Sequence, residues 1–388
     1  MGFLFKRVGL PQVVGQILAG ILLGLPILKG ILFDNPDSLT VVDFLSYLGI
    51  VFLLFLAGLE IDIDKVRSTS KESFMISMSS ALVPFSLGFA FVYFAFPNFG
   101  LLAALVYGGA LMVTSEATKV KVLMDLNSLN THLGAIMLSA GAIDDIFEVT
   151  FLALVVALGS GGGLTELALI PVELIVFGII VFVFFKAASR IFHYLEGKRG
   201  SEADLFAFVV IFIMALVAFS ESLHIGYLIG AIAGGFVLQL SLRSLHKTHR
   251  RDLIKVTELI TLGFMVPFFF ANVGLQFDIT AIGSSIFLTV VTIVIAFMGK
   301  ITGCLAVKPF SKLTLKQLYY VGWAMNSRGA AELVIALTAM SLGLIPLEIF
   351  SALVAMSLIT TITFPPILSR GIIKNPGLMN VDEAHTKV

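Results

Sequence analysis

The chain has 388 residues, of which 58% are hydrophobic and 13% are charged, and its mean hydropathy is +1.03. Soluble domains carry about 25% charged and about 45–50% apolar residues, so this composition excludes a water-soluble enzyme. The 25 basic and 25 acidic residues balance, and this gives no indication of nucleic-acid binding. A single cysteine, Cys304, excludes an internal disulfide, and no Cys/His cluster offers a transition-metal site. The composition predicts a polytopic membrane protein.

Apolar runs between charged or turn-rich breaks predict roughly twelve membrane-spanning helices, each near the length of about 20 residues that a bilayer requires. Their continuous character favours helices over the alternating segments of a β-barrel. No cleavable signal peptide is expected, because hydrophobic stretches recur along the whole chain. In chain order the helices are predicted at 11–33, 44–60, 73–96, 100–124, 131–159, 168–192, 203–220, 225–242, 257–275, 282–306, 316–342 and 346–369.

Basic residues predict which side of the membrane each loop faces, because cytoplasmic loops are enriched in Lys and Arg. Apart from Lys29, Lys300 and Arg328, all basic residues are assigned to alternate connections, including Lys119 and Lys121 at the end of the fourth helix. Both termini are therefore predicted to be cytoplasmic. Lys300 and Arg328 fall inside apolar segments, where a charge is costly and needs a partner.

Two adjacent carboxylates, Asp144 and Asp145, lie midway along the fifth predicted helix. Adjacent helical residues point about 100° apart, so the two side chains can address different partners. Desolvation and mutual repulsion disfavour their charged forms, so a proton can compete with a cation at this site. Lys300 in the tenth helix can balance one of them. A purely structural pairing is the alternative, but it needs one acid per base and this site has a surplus of acid.

Glu148 lies one turn beyond the two aspartates, on a neighbouring part of the same helix face. It is either a third carboxylate of an ion path or an acid at the rim of a pore. The sequence leaves both alternatives open.

Polar residues interrupt the fourth and eleventh predicted helices in similar ways. Such interruptions are typical of discontinuous helices, whose freed carbonyls and half-helix ends coordinate or repel ions. The alternative is an ordinary kink with hydroxyls bonded to the preceding turn. Each break lies in the second-last helix of a six-helix half, which predicts two repeats with the sixth helix as a linker. The interrupting residues are Thr114, Ser115 and Glu116, and Asn326, Ser327 and Arg328.

Together these segments resemble the sodium/proton antiporters of the second monovalent cation:proton antiporter family. The resemblance covers about residues 3–370 and rests on the order and spacing of several short strings. These are FKRVGLPQVVGQILAG at 5–20, FLLFLAGLE at 52–60, the Thr114–Ser115 break, IDD at 143–145, PFFFANVGL at 267–275, GK at 299–300 and NSRG at 326–329.

The resemblance implies an all-α membrane protein with two inverted repeats and two crossing broken helices in a mobile core domain beside a dimerisation domain. Here the core would be about 73–159 and 282–369, the dimerisation domain about 1–60 and 203–275, and the linker helix about 168–192. The implied partners are a second copy of the chain and membrane lipids, and the implied location is a prokaryotic inner membrane.

The family also implies roles for individual residues. Asp145 would bind Na⁺, Asp144 would pair with Lys300, and Thr114 and Ser115 would contribute the unwound fourth helix to the ion site. An Asp-Asp pair is typical of electrogenic members, whereas electroneutral members usually have a neutral residue in the first position.

Further charge-pairing candidates lie near the two breaks. Some relatives place an acid immediately after Arg-Gly, where this chain has Ala330, and Glu332 would instead be the acid near Arg328. Glu116 is a candidate in the fourth helix.

Two departures from the family pattern concern the ends of the chain. Relatives generally carry a complete helix before the segment at Lys6, and this helix contributes to their dimerisation domain. None is seen here; a misassigned start and a real shortening are both open, and the stability of the homodimer is not predicted. They commonly carry a soluble nucleotide-binding tail after the last helix, and this sequence shows none. Gating by a cytosolic nucleotide or thiol ligand is therefore not expected here.

The predicted function is alternating-access exchange of Na⁺ or Li⁺ for H⁺, with no resident cofactor and no enzymatic activity. Two alternatives stay open: K⁺/H⁺ exchange on the same fold, and a sodium-coupled symporter for an organic anion. An intramembrane enzyme is disfavoured, because the sequence holds no catalytic triad and no His-Glu-x-x-His string.

Overall fold

The computed structural model describes most of the chain, and its described part is helical throughout. This part comprises residues 1–7, 11–33, 35–60, 71–126, 128, 131–159, 175–188, 190–191, 202–223, 226–242 and 247–379. The predicted all-α class is therefore confirmed.

Each of the predicted membrane segments contains helix. The first eight helices are α1 (Gly2–Arg7), α2 (Gln12–Leu23), α3 (Pro26–Leu32), α4 (Pro36–Glu60), α5 (Lys71–Ala95), α6 (Gly100–Met112), α7 (Glu116–Asp125) and α8 (His132–Gly159). The next five are α9 (Ile175–Ala188), α10 (Glu202–Ser222), α11 (Tyr227–Leu242), α12 (Lys247–Ile260) and, after a π-helical turn at Thr261–Met265, α13 (Val266–Gln276). The last five are α14 (Ile279–Ser284), α15 (Ile286–Ala306), α16 (Leu315–Ala324), α17 (Ala331–Ser341) and α18 (Leu347–Lys374).

Within the described residues, 6 helices are long and apolar enough to cross a bilayer, and the bent pair α2–α3 would make a seventh. Several other predicted segments contain shorter apolar helices, and breaks divide two of these segments, at 113–115 and at 325–330. The protein is an integral membrane protein, while the count of about twelve spans stays a prediction. The long helices are Asp37–Leu59, Lys71–Ala95, Asp204–Ser222, Leu253–Gln276, Ile286–Phe310 and Leu347–Lys374.

The chain divides into two compact units. The first contains Met1–Leu18, Asp62–Phe151 and Gln276–Val388, and within it α5 packs against α6 and α15. The second contains Ala19–Ile61 and Leu152–Leu275, and within it α11 packs against α4 and α10. The first 18 residues group with the first unit, whereas the sequence assigned them to the dimerisation domain. The roles of mobile core and dimerisation domain stay predictions.

Two glycines on one face of α15 allow its close approach to α5. A Cβ atom added at Gly303 would lie 2.6 Å from the Ser79 carbonyl oxygen, and one at Gly299 would lie 2.7 Å from Pro84. The Ser79 hydroxyl also donates a hydrogen bond to the Gly303 carbonyl at 2.7 Å. This contact holds α15, and with it Lys300, in the interior of the first unit.

We expect Gly303→Val to destabilise the protein, because the added side chain would overlap the α5 backbone and overpacking costs about 1–3 kcal/mol or more. Gly178→Val in α9 is the control, since a Cβ at Gly178 meets nothing within 4 Å. Thermal unfolding of the detergent-purified variants checks this, and equal melting temperatures would contradict it.

Candidate ion-binding site

Both predicted interruptions are true breaks in the helices. Helix α6 ends at Met112 and α7 begins at Glu116, while α16 ends at Ala324 and α17 begins at Ala331. The alternative of a kinked but continuous helix is therefore excluded at both places.

The two breaks bond directly to each other. The Ser115 amide donates to the Ser327 carbonyl at 2.8 Å, and the Ser327 hydroxyl donates to the Ser115 carbonyl at 2.7 Å. The Thr114 hydroxyl lies 3.3 Å from the Met325 carbonyl oxygen. Backbone groups freed by unwinding must find partners inside a membrane protein, and each break supplies partners to the other.

Two buried cations cover the C-terminal end of α6. Arg328 and Lys300 are both 0% exposed. The guanidinium of Arg328 donates to three backbone carbonyls, and the Lys300 ammonium donates to a fourth. In order, these acceptors are Ala110 at 3.2 Å, Leu111 at 2.7 Å and Val113 at 2.6 Å for Arg328, and Met112 for Lys300. Cations at this position also interact favourably with the helix dipole.

Asp144 is buried among three donors. Ser77 of α5 donates to its Oδ1 atom, and Thr114 donates to its Oδ2 atom at 2.8 Å. Lys300 Nζ lies 3.5 Å from the same Oδ2 atom, forming the ion pair that the sequence predicted. Ser77 was missed by the sequence analysis, because a lone serine in an apolar helix most often bonds to its own preceding turn.

Lys300 uses all three of its N–H donors in this arrangement. Besides Met112 and Asp144, it donates to the Thr114 hydroxyl at 2.6 Å. Thr114 thus accepts from the ammonium and donates to the carboxylate, so the three groups form one polarised chain.

Glu332 binds to the start of α17. Its carboxylate accepts the Gly329 amide at 2.9 Å and the Ser357 hydroxyl at 2.7 Å. Among the described residues, no hydrogen bond joins Glu332 to Arg328, but the two opposite charges interact electrostatically. The hydrogen bonds of the Arg328 guanidinium go to the carbonyls of α6.

The remaining predicted site residues have less defined surroundings. Asp145 and Glu148 lie in α8 and are partly exposed, and both make contacts with neighbouring groups. Ser115 joins the two breaks, as described above. Glu116 begins α7, but its side chain lies outside the described part of the structure. The ion-binding roles of these residues stay predictions.

Lys119 corrects the sequence analysis, which counted it as a loop residue. It lies in α7 and is fully buried, with its Nζ atom 3.8 Å from Met325 Sδ. Lys119 shares a helical face with Val122 and Leu123, which are both buried. Had α7 been recognised as a separate half-helix, this spacing would have indicated an inward-facing lysine.

Comparisons with known proteins give matches along nearly the whole chain. A family model described as sodium/hydrogen exchanger, transmembrane, matches residues 1–370. The chain is 29% identical to the Na(+)/H(+)-K(+) antiporter GerN of Bacillus cereus, over 95% of this chain and 91% of that protein. It is 30% identical to the Na(+)/H(+) antiporter NhaS4 of Synechocystis, over 95% and 92%.

A solved structure also matches. The sodium proton antiporter MjNhaP1 from Methanocaldococcus jannaschii superposes with a TM-score of 0.66 at 14% identity, over 97% of this chain and 93% of that one. At this identity the match supports the fold alone.

We expect Arg328→Gln to destabilise the protein by more than about 3 kcal/mol, because several buried carbonyls lose their donors at once. Arg370→Gln in α18 is the matched control, since Arg370 is exposed. Thermal unfolding and size-exclusion chromatography of the purified variants measure the effect. A monodisperse Arg328→Gln protein with wild-type stability would refute this account of the α6 end.

Proposed function

Because this chain belongs to the transmembrane sodium/hydrogen exchanger family, we propose that it exchanges Na⁺ or Li⁺ for H⁺ across the membrane by alternating access. The observation that carries the proposal is the buried Asp144–Lys300 ion pair, which lies against two broken helices and beside a second carboxylate, Asp145. Hard cations such as these are bound by oxygen ligands, and this site offers carboxylate and hydroxyl oxygens.

In the proposed cycle, protons and the cation exclude each other at Asp145. Cation binding weakens the Asp144–Lys300 pair and is accompanied by release of its proton. Either ligand reduces the uncompensated charge of the site and so lowers the desolvation cost of moving it across the membrane. Electroneutral members of the family usually have a neutral residue at the position of Asp144. Because this chain has an aspartate there, we propose that the exchange is electrogenic.

We propose the corresponding architecture for the whole molecule: about twelve spans in two inverted repeats, with the first unit as the mobile core and the second as the dimerisation domain. The protein would be a homodimer in the cell membrane, with both termini cytoplasmic. The basic residues on alternate connections support this orientation.

K⁺/H⁺ exchange is the second candidate function. It is favoured by the similarity to GerN, whose name includes potassium. A symporter for an organic anion is less well supported, because the Arg328 guanidinium is bonded to the carbonyls of α6 and is not available to a carboxylate substrate.

The test uses proteoliposomes with an imposed pH gradient, to which Na⁺, Li⁺ and K⁺ are added separately while internal pH and membrane potential are recorded. We expect Na⁺ or Li⁺ to dissipate the pH gradient, and Asp145→Asn to lose at least about 90% of this exchange because a neutral amide binds cations weakly. Asp37→Asn, at an exposed position in α4, is the control. Response to K⁺ alone would favour the second candidate. Retained electrogenic exchange in Asp145→Asn would contradict the assignment of Asp145 as the cation-binding residue.

The origin of the transported charge can be tested separately. We expect the double variant Asp144→Asn, Lys300→Gln to exchange cations without generating a potential, because it removes both members of the pair and leaves no lone buried charge. Lys300→Gln alone leaves Asp144 without its cation and should lower stability by about 3–5 kcal/mol. A potential that persists in the double variant would show that the pair does not determine electrogenicity.

A further inference from the structure

Asn326 in the second break has a buried oxygen atom without a donor. The side chain is fully buried, and its Nδ2 atom donates to the carbonyls of Gly322 at 2.9 Å and Phe297 at 3.4 Å. Its Oδ1 atom has no hydrogen-bond partner among the described residues. Turning the amide over would direct Oδ1 at two carbonyl oxygens, so the hydrogen-bond network fixes the orientation.

Besides Asn326 Oδ1, the Arg328 Nε donor of this break is also buried without a partner among the described residues. The backbone amides of Met325, Asn326 and Ser327 all bond to carbonyls of α16. A buried acceptor without a donor costs about 1–3 kcal/mol, and such an atom in a native protein calls for an explanation. A donor that reaches Oδ1 in another state of the protein would provide one.

Two sets of contacts connect Asn326 to the surroundings of Lys300. Phe297, which accepts the Asn326 Nδ2 proton, lies one turn before Lys300 on α15, and helical side chains extend over the turn that precedes them. In the second set, the neighbouring Met325 carbonyl lies 3.3 Å from Thr114 Oγ1, which is 2.6 Å from Lys300 Nζ.

The N–H donors of Lys300 and the Oδ1 acceptor of Asn326 are complementary. In the observed state, Lys300 donates its three protons to Met112, Thr114 and Asp144, and the contact with Asp144 is the longest, at 3.5 Å. A cation that binds at the aspartates competes for Asp144 and repels the ammonium. One N–H group of Lys300 then loses its acceptor at a position that water does not reach. Asn326 Oδ1 is an acceptor that is empty before this step.

We propose that Asn326 Oδ1 accepts the Lys300 ammonium when the transported cation displaces it from Asp144. Asn326 is then a positioning residue that acts through Lys300 and sets the affinity for the cation. The inference rests on the proposed exchange function. Without this acceptor the displaced ammonium keeps an unmet N–H group until its proton leaves, so displacement costs more and cations bind more weakly.

The test compares Asn326→Leu, which removes the acceptor, with Asn326→Asp, which keeps an oxygen. We expect Asn326→Leu to raise the Na⁺ concentration for half-maximal exchange by about fivefold or more, with Asn326→Asp at or below the wild-type value. A purely structural role of Nδ2 predicts the opposite order, because the aspartate would direct an oxygen at the Gly322 and Phe297 carbonyls. Should Asn326→Leu not fold, Asn326→Asp still decides between these outcomes.

A double-mutant cycle makes the test specific for Lys300. Na⁺ binding is measured by the thermal stabilisation of purified protein, which does not require transport. In the Asp144→Asn, Lys300→Gln background, Asn326→Leu should change the Na⁺ affinity by less than about twofold, because the amine is absent. An equal effect in both backgrounds overturns the inference.

Thr338→Val is the matched control, since Thr338 Oγ1 in α17 is also buried without a partner among the described residues. It should leave the Na⁺ response unchanged, and a shift as large as that of Asn326→Leu would overturn the inference. If the wild-type protein responds to Na⁺ and Asn326→Leu responds equally, only the inference fails. If the wild type responds to none of Na⁺, Li⁺ and K⁺, the proposed function fails and the inference fails with it.

Discussion

The candidate ion-binding site depends on how the C-terminal end of α6 is satisfied inside the membrane. A helix leaves its last carbonyls without intrahelical partners, and hydrocarbon offers no water to replace them. Arg328 and Lys300 bond to four consecutive carbonyls at this end. The negative end of the helix dipole in turn stabilises two cations at a depth where charges are otherwise costly. Without the cations, the carbonyls at the end of the broken helix would lack donors. Without those carbonyls, the buried cations would lack acceptors.

This mutual dependence extends to the carboxylate. Thr114 lies directly beyond the carbonyls that the cations bind, so fixing the end of α6 also fixes the hydroxyl that donates to Asp144. The Ser115–Ser327 bonds then hold the second break, which contains Arg328, against the first. The helix end, the two breaks and the Asp144–Lys300 pair are therefore parts of one hydrogen-bonded structure.

Much of this arrangement could be predicted from the sequence, because charges within apolar runs have few possible partners. Asp144 and Lys300 are identified in this way, and the two polar interruptions likewise predict the breaks. The burial of Lys119 could not be predicted, because counting basic residues treats a lysine near the end of a span as part of a loop. The partners of Ser77 and the environment of Asn326 could not be predicted either, since isolated polar residues reveal their partners only when the packing of distant helices is known. The helical segments were predictable from hydropathy, whereas the division into two compact units depends on contacts between distant parts of the chain.

The double role of Lys300 has a consequence for the proposed exchange. Lys300 can leave Asp144 while its bond to the Met112 carbonyl is kept, because the two acceptors are different atoms. The end of α6 then stays covered by Arg328 and Lys300 throughout cation binding. In a different site, one contact of the lysine could hold both the helix end and the carboxylate. A cation that broke this contact would then leave backbone carbonyls without a donor inside the membrane. Separating the two contacts allows the charge of the site to change while the broken helix keeps its hydrogen bonds.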